Sequence, residues 1–211
     1  MPPNSSSMVV GVLLAGGLSR RMGGGDKCLQ LFGNTTLLGR AIDRAQPQVS
    51  DLILNANGEP HRFDNFGLQV VSDAIPGFAG PLAGVLTGME WALSYRPDAH
   101  WIATFATDAP FFPYNLVHQF IDNIHKTNSV LARATSGGRP HPVFGLWPVH
   151  LAKRLRQALT IESIRKIDVW TSRYRTCDVD FTTEPIDPFF NVNISTDLEK
   201  GRAMLTKEPR T

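Results

Sequence analysis

Residues 8–27 have the sequence MVVGVLLAGGLSRRMGGGDK, in which an apolar run of valine and leucine leads directly into two clusters of glycine. The run 8–14 predicts a buried β-strand, and the glycines that follow predict a loop able to wrap closely around a ligand. Such a loop exposes backbone N–H groups, and Arg20, Arg21 and Lys27 add three positive charges to it. We therefore predict that this segment binds an oligophosphate.

The glycine spacing excludes two common phosphate-binding motifs. The segment contains no G-x-x-x-x-G-K-[ST] sequence, which a Walker A loop requires. It also contains no G-x-G-x-x-G sequence, which is typical of dinucleotide-binding folds. The predicted phosphate site therefore belongs to another class of nucleotide-binding protein.

Short apolar runs alternate with amphipathic stretches along the chain, which predicts an open α/β sheet covered by helices. After 8–14, the predicted strands are 51–55, 68–72, 100–106, 129–135, 141–148 and 176–181. The predicted helices are 36–46, 81–95, 115–126, 149–159 and 196–205, with a short helix and turn within 160–175. Thr196 and Glu199 form a predicted capping box for the last helix. We expect one domain over residues 1–211, with a flexible leader at 1–7.

Polar residues stand at the ends of the first four predicted strands. Gly16, Asn55, Asp73 and Asp108 end or directly follow these strands. Turns also favour Gly, Asn and Asp, so each residue alone is compatible with a structural role. Open α/β sheets bind ligands beyond the carboxyl ends of their strands, so the four together predict a binding site at that edge.

The composition is that of a globular protein, with 42% hydrophobic and 19% charged residues in a chain of 211. No apolar run reaches the ~18–20 residues that span a bilayer, so we expect no membrane association. The net charge of +2 gives no reason to expect a nucleic-acid partner. Cys28 and Cys177 match no zinc or redox spacing, so we expect Cys28 to be a packed side chain in a protein of the reducing cytoplasm.

The pattern LAGG-x-S-R-R-M-G-G-x-D-K resembles the signature of nucleotidyltransferases that make activated sugars and the molybdenum cofactor. It resembles most closely the molybdenum cofactor guanylyltransferases, the MobA family. Further blocks occur in family order between residues 10 and 205, namely Asn55-Ala56-Asn57, Gly80-Pro81-Leu82-Ala83-Gly84, Asp108-Ala109-Pro110, His141-Pro142 and Asn191-Val192-Asn193. The resemblance implies a three-layer Rossmann-like nucleotidyltransferase fold with a mostly parallel central sheet. It also implies transfer of GMP from GTP to the phosphate of molybdopterin, with release of pyrophosphate.

The resemblance implies specific roles at the matched positions. Leu14, Ala15 and Gly16 would lie against the nucleotide through their backbone, and Asn55 and Asp73 would contact the nucleoside. Lys27 would bind the phosphates, with Arg21 as a further cation that offsets developing charge. Asp108 would hold Mg²⁺, which prefers oxygen ligands, and would also touch the nucleotide.

The sequence indicates the residues that would contact the acceptor less clearly than those that would contact the nucleotide. Asn191 and Asn193 lie in a block that the resemblance places near the metal and the pterin. The glycine-rich turn 137–142 carries Arg139 and His141, and it fits either a loop that contacts the acceptor phosphate or a basic surface hairpin.

Three alternatives to guanylyl transfer are also compatible with the sequence. They are a molybdopterin cytidylyltransferase that uses CTP, a sugar-phosphate nucleotidyltransferase, and a non-catalytic nucleotide sensor or molybdopterin carrier. Ala15-Gly16-Gly17 and Asp26-Lys27 favour guanine over cytosine by resemblance. We also expect contact with other molybdenum cofactor biosynthesis proteins and with recipient molybdoenzymes or their chaperones, because the product is labile.

Overall fold

The computed structural model describes residues 9–15, 26–77 and 80–208. The predicted leader at 1–7 lies outside the described residues, as does the glycine-rich loop at 16–25. The predicted roles of Gly16, Arg20 and Arg21 therefore remain predictions.

The described residues form a seven-stranded sheet and a separate two-stranded hairpin. The sheet contains β1 (Val9–Leu14), β4 (Asp51–Asn55), β5 (Gln69–Val71), β6 (Trp101–Ala106), β7 (Leu131–Ser136), β8 (Arg139–Pro148) and β9 (Thr176–Phe181). The hairpin pairs β2 (Leu31–Phe32) with β3 (Thr35–Thr36). The order across the sheet is β5-β4-β1-β6-β8-β7-β9, and β8 runs antiparallel to both of its neighbours while the other pairings are parallel. The expected mostly parallel sheet is confirmed.

Helices cover both faces of this sheet. They are α1 (Leu37–Ala45), α2 (Pro81–Tyr95), α3 (Leu116–Thr127), α4 (Ala152–Thr160), α5 (Ile167–Thr171) and α6 (Ser195–Met204). Side chains alternate across β1, so Val9 and Leu13 pack with α1 and α3, whereas Val10 and Val12 pack with α2, α4 and α5. A strand buried on both faces needs a continuous apolar sequence, which explains VVGVLL. The expected three layers are confirmed.

The predicted cap of the last helix is wrong. The helix begins at Ser195, and Asp197 accepts hydrogen bonds from the backbone N–H groups of Asn193 and Ile194. Thr196 therefore lies inside the first turn, where it cannot serve as the residue before the helix. The stretch 149–159 also differs from its prediction, because a 3-10 turn at Val149–Leu151 precedes α4.

The end of the described chain is fixed to α1. Glu208 forms ion pairs with Arg40 and Arg44, of which Arg44 is almost fully buried. Burial, followed by the neighbouring Arg40, lowers the pKa of Arg44 to about 10. A small apolar cluster joins the β2–β3 hairpin to α6 through Phe32, Val192 and Leu198.

None of the helices in the described part of the chain has the length and apolar character needed to cross a membrane.

Candidate functional site

The carboxyl ends of four strands form one continuous row. Leu14 pairs with Asn55 on one side and with Ala106 on the other, and Asn55 pairs with Val71. Asp73 and Asp108 follow the ends of β5 and β6, two residues past this row. The prediction that these strand ends lie at one edge of the sheet is confirmed.

Lys27 lies at the centre of a polar cluster at this edge. Its Nζ donates to Asp108 Oδ2 at 2.5 Å and to Asn193 Oδ1 at 3.0 Å. The Lys27 and Asp108 side chains are 19% and 26% exposed, so a ligand can reach both. Charge-assisted hydrogen bonds of this kind are stronger than neutral ones and hold the ammonium in a defined place.

Asn193 reaches Lys27 because the segment before α6 is attached to the strand end. The backbone N–H of Val192 donates to the carbonyl of Asp108 at 2.8 Å, and the Val192 side chain is fully buried. Asp197 fixes the next two residues by accepting the N–H groups of Asn193 and Ile194. Asn191 lies on the same segment and is exposed.

Asn55 and Asp73 form a second cluster, on the β4–β5 side of the edge. The amide of Asn55 donates to Asp73 Oδ1 at 3.0 Å and to the carbonyl of Val71 at 3.1 Å. Both of its N–H groups are therefore engaged, and the residue is only 5% exposed. Asn55 supports Asp73 directly, and its Oδ1 is the polar atom that is left for other contacts.

Asn57 completes the support of Asp73. Its Nδ2 donates to Asp73 Oδ2 at 2.8 Å, and its Oδ1 accepts from the Asp73 backbone N–H at 2.9 Å. Both carboxylate oxygens of Asp73 are thus hydrogen-bonded to amides. Asn57 belongs to the block Asn55-Ala56-Asn57, but the sequence alone does not predict a role for it.

Gly84 allows α2 to approach this cluster closely. A Cβ added at Gly84 would lie 2.4 Å from Asn55 Oδ1 and 2.5 Å from Leu14 Cδ2. A side chain at this position would force Asn55 or Leu14 to shift, so the glycine in the block Gly80-Pro81-Leu82-Ala83-Gly84 has a packing reason.

The backbone at Leu14 and Ala15 is partly committed to the sheet. The Ala15 N–H donates to the carbonyl of Asn55 at 3.0 Å, and the carbonyl of Leu14 accepts from Thr107 Oγ1 at 3.2 Å. These bonds fix the place where the chain leaves β1 and enters the glycine-rich loop. Backbone contacts from Leu14 and Ala15 to a nucleotide stay a prediction.

His141 belongs to a separate network at the start of β8. Its Nε2 lies 2.8 Å from Ser136 Oγ, which donates to Asp187 Oδ1 at 2.8 Å. Because Ser136 has a single hydroxyl hydrogen and gives it to a carboxylate, Nε2 of His141 must carry the proton and donate to Ser136. Burial lowers the pKa of His141, against a smaller raising effect of Asp187, and so favours the neutral ring.

Among the described residues, the His141 network is linked to Lys27 through the chain segment 187–193. The ring of His141 stacks on Phe189 with centroids 4.6 Å apart, and Asp187 also accepts from the Phe189 N–H at 3.0 Å. Phe189 starts the segment that carries Asn191 and Asn193. Arg139 is exposed at the first position of β8 and has no contact with the Lys27 cluster among the described residues.

Cys28 is a packed side chain, as expected. It is 4% exposed, and burial together with the nearby Asp26 raises the pKa of its thiol to about 12. The described part of the chain holds no cluster of three or more His, Cys, Asp or Glu side chains that would bind a metal by themselves.

The family model and the curated relatives that match this chain indicate the same family. Residues 11–174 match the family model of the MobA-like NTP transferase domain. A molybdenum cofactor guanylyltransferase of Bradyrhizobium sp. is 47% identical over 210 residues, which cover 100% of this chain and 99% of that protein. One from Nitrobacter hamburgensis is 49% identical over 194 residues, which cover 92% of this chain and 93% of that protein.

Solved structures share the fold at lower identity. Molybdopterin-guanine dinucleotide biosynthesis protein A from Archaeoglobus fulgidus has a TM-score of 0.72 at 19% identity, over 94% of this chain and 100% of that chain. A Mycobacterium tuberculosis protein in complex with manganese has a TM-score of 0.65 at 18% identity, over 94% of this chain and 99% of that chain. From the family model and the identity to relatives over nearly its whole length, this chain belongs to the molybdenum cofactor guanylyltransferases, within the MobA-like NTP transferase family.

Proposed function

We propose that this chain transfers GMP from GTP to the phosphate of molybdopterin, forming the molybdopterin guanine dinucleotide cofactor and pyrophosphate. The observation that carries the proposal is the Lys27–Asp108–Asn193 cluster at the carboxyl edge of the sheet. The cluster combines a cation with a carboxylate and an amide oxygen at the edge where open α/β sheets bind their ligands.

The reaction joins two anions. An oxygen of the pterin phosphate forms a bond to the α-phosphorus of GTP, while the bond from that phosphorus to the bridging oxygen of pyrophosphate breaks. Such a transfer depends mainly on positioning and on neutralisation of charge, with little covalent work for side chains. Lys27 supplies a cation held by Asp108 and Asn193, and Arg21 in the glycine-rich loop would supply another.

The carboxylate oxygens of Asp108 are suitable ligands for Mg²⁺. This ion prefers hard oxygen ligands and is commonly held by one or two carboxylates together with substrate phosphates. Asp108 offers a partly exposed carboxylate, and the amide oxygen of Asn193 lies beside it on Lys27. When bound, Mg²⁺ would neutralise negative charge on the phosphates.

Lys27 can bind a phosphate and keep its present contacts. Its ammonium has three N–H groups and donates to two acceptors, Asp108 Oδ2 and Asn193 Oδ1. The third N–H is the group that we assign to a phosphate oxygen. A lysine suits this role because its ammonium is a point charge on a flexible stem.

The two ends of the site take different ligands in this proposal. Asp73, supported by Asn55, contacts the nucleoside, and the backbone of Leu14, Ala15 and Gly16 lies along the nucleotide. Asn191 and Asn193 face the pterin, with Arg139 and His141 farther along the same side. The connection from Asp108 to Val192 supports this arrangement, because it brings the acceptor segment to the phosphate cluster.

We also propose that the whole chain works as one domain in the cytoplasm. The sheet takes strands from residue 9 to residue 181, and α6 packs back onto the β2–β3 hairpin, which supports one unit. Hand-over of the product to other molybdenum cofactor proteins, recipient molybdoenzymes or their chaperones remains a prediction from the sequence.

Pyrophosphate release in the presence of molybdopterin and Mg²⁺ tests the function. We expect release with GTP and little with CTP or with a sugar phosphate as acceptor. Asp108→Ala should abolish turnover while the chain stays folded. Asp122→Asn, at a partly exposed aspartate on α3, serves as the control. Preference for CTP would replace guanylyl by cytidylyl transfer, and full activity of Asp108→Ala with Mg²⁺ would refute the assigned mechanism.

A further inference from the structure

Arg62 contacts both Asp26, next to Lys27, and Asn57, which supports Asp73. It lies on the 3-10 turn Pro60–Phe66, between β4 and β5. Its Nε lies 2.5 Å from Asp26 Oδ2 in an ion pair. Its two terminal nitrogens donate to backbone carbonyls, Nη1 to Glu59 at 2.6 Å and Nη2 to Asn57 at 2.5 Å.

The turn before Arg62 is shaped around the guanidinium. Gly58 has φ +85°, which side chains rarely adopt, and a Cβ there would lie 3.1 Å from Arg62 Nη1. The guanidinium also lies 4.5 Å from the ring centroid of Phe63, which is buried. The Arg62 side chain is 28% exposed and Asp26 is 18% exposed, so solvent screens their pairing only in part.

Asp26 is the phosphate-side end of this connection. It stands at the end of the glycine-rich segment and directly before Lys27. Its carbonyl accepts from the Leu29 N–H at 3.0 Å, which ties it to the 3-10 turn Lys27–Leu29. A shift of Asp26 therefore moves the backbone that carries Lys27.

Asn57 is the nucleoside-side end. Its carbonyl accepts from Arg62, while its side chain makes two hydrogen bonds to Asp73. Arg62 thus has contacts to the neighbour of Lys27 and to the residue that supports Asp73. An arginine is suited to this role because its rigid planar group makes several directed contacts at once.

We propose that Arg62 is a positioning residue for nucleotide binding, which sets the distance between the phosphate-binding Lys27 and the nucleoside-binding Asp73 through Asp26 and Asn57. This inference rests on the proposed function, since it takes GTP as the ligand. Binding sites held in their bound geometry lose less free energy on ordering, so loosening this connection weakens GTP binding.

The test is the Kd of GTP with Mg²⁺, measured by calorimetry on the full chain. Arg62→Gln, Asp26→Asn and the double variant form a cycle that isolates the coupling of the pair. We expect each single variant to raise Kd about tenfold, which is ~1.4 kcal/mol, and the double variant to raise it no further. In turnover assays KM for GTP should rise while kcat stays near the wild-type value.

Arg96→Gln is the matched control. Arg96 forms an ion pair with Asp51 at the start of β4, whereas Asn55 ends the same strand at the site. This variant removes an arginine–aspartate pair far from the nucleotide, so Kd for GTP should not change.

Each outcome has a separate meaning. Wild-type affinity in either Arg62→Gln or Asp26→Asn overturns the role of Arg62, and so does a double variant whose effect is the full product of the two singles. Asp26→Asn leaves the carbonyl contacts of Arg62 in place, so it decides the question even if Arg62→Gln loses its fold. A wild-type chain that binds no GTP would instead overturn the proposed function.

Discussion

Replacement of Gly84 by alanine should damage nucleotide binding much more than it damages the fold. The added methyl group would lie 2.4 Å from Asn55 Oδ1 and 2.5 Å from Leu14 Cδ2. The leucine methyl can rotate away, but Asn55 is buried and held by hydrogen bonds to Val71 and Asp73. We expect the Asn55 amide to turn and to lose its bond to the Asp73 carboxylate.

The expected changes in unfolding free energy and in GTP affinity differ in size. Replacing glycine by alanine inside a helix gains ~1 kcal/mol of helix propensity, whereas overpacking a core costs ~1–3 kcal/mol. The net loss of unfolding free energy is therefore about 0–2 kcal/mol. The lost Asn55–Asp73 bond is part of this stability cost, because it is present without a ligand. GTP affinity falls because the displaced Asp73 carboxylate then loses its proposed hydrogen bond to the nucleoside. A hydrogen bond to a charged group contributes ~1.5–3 kcal/mol, which corresponds to a factor of ~10 or more in Kd.

Gly88→Ala is the matched control, one helical turn further along α2. A Cβ at Gly88 would lie 2.4 Å from Val12 Cγ2 and 3.1 Å from Ile102 Cδ1, so it meets only apolar atoms. Urea denaturation should give similar losses of stability for the two variants, while calorimetry should show weakened GTP binding for Gly84→Ala alone. Equal GTP affinities in the two variants would refute the reasoning that Asn55 supports the nucleotide site.

Three further predictions use other contacts of the site and the fold. Lys27→Ala should weaken GTP binding by ~1.5–3 kcal/mol in calorimetry through loss of a charge-assisted contact, and an unchanged Kd would remove Lys27 from the phosphate site. Cys28 should resist iodoacetamide in the folded chain at pH 8, because its thiol is buried and its pKa is raised to about 12; rapid labelling seen by mass spectrometry would contradict this. Glu208→Gln should lower the free energy of unfolding by ~1–3 kcal/mol, because Arg44 keeps its buried charge but loses its carboxylate partner. The loss is smaller than for a fully buried pair, because Glu208 is partly exposed. An unchanged urea midpoint would show that the pair contributes nothing to stability.

The sequence predicts well what local pattern determines. The apolar run of β1 and the apolar pattern of α2 identify elements whose residues are buried against neighbours. The strand ends at Asn55, Asp73 and Asp108 follow from strand positions alone, because parallel strands bring their carboxyl ends to one edge. The common edge at which the candidate site lies can therefore be predicted from the sequence.

Contacts between distant segments were not predictable in the same way. Asp26 and Arg62 are both ordinary charged residues in sequence, and their pairing depends on how the turn after β4 packs against the end of the glycine-rich segment. The start of α6 also depends on a contact between distant segments. The hydrogen bond from the Val192 N–H to the Asp108 carbonyl fixes the chain just before the helix. The helix therefore begins at Ser195, and Asp197 caps it by accepting from the N–H groups of Asn193 and Ile194, in place of the predicted Thr196 and Glu199.

The antiparallel direction of β8 affects how relatives of this chain can diversify. Because it runs against its neighbours, its first residues lie at the edge to which the parallel strands contribute their last ones. The tight turn that joins β7 to it uses Gly137 and Gly138, both at positive φ, and Gly138 has open space around it. Insertions at this turn would reshape the proposed acceptor side without moving Asn55, Asp73 or Lys27. On the proposed assignment, exchanging this hairpin is a route to new acceptor specificity with an unchanged nucleotide-binding half.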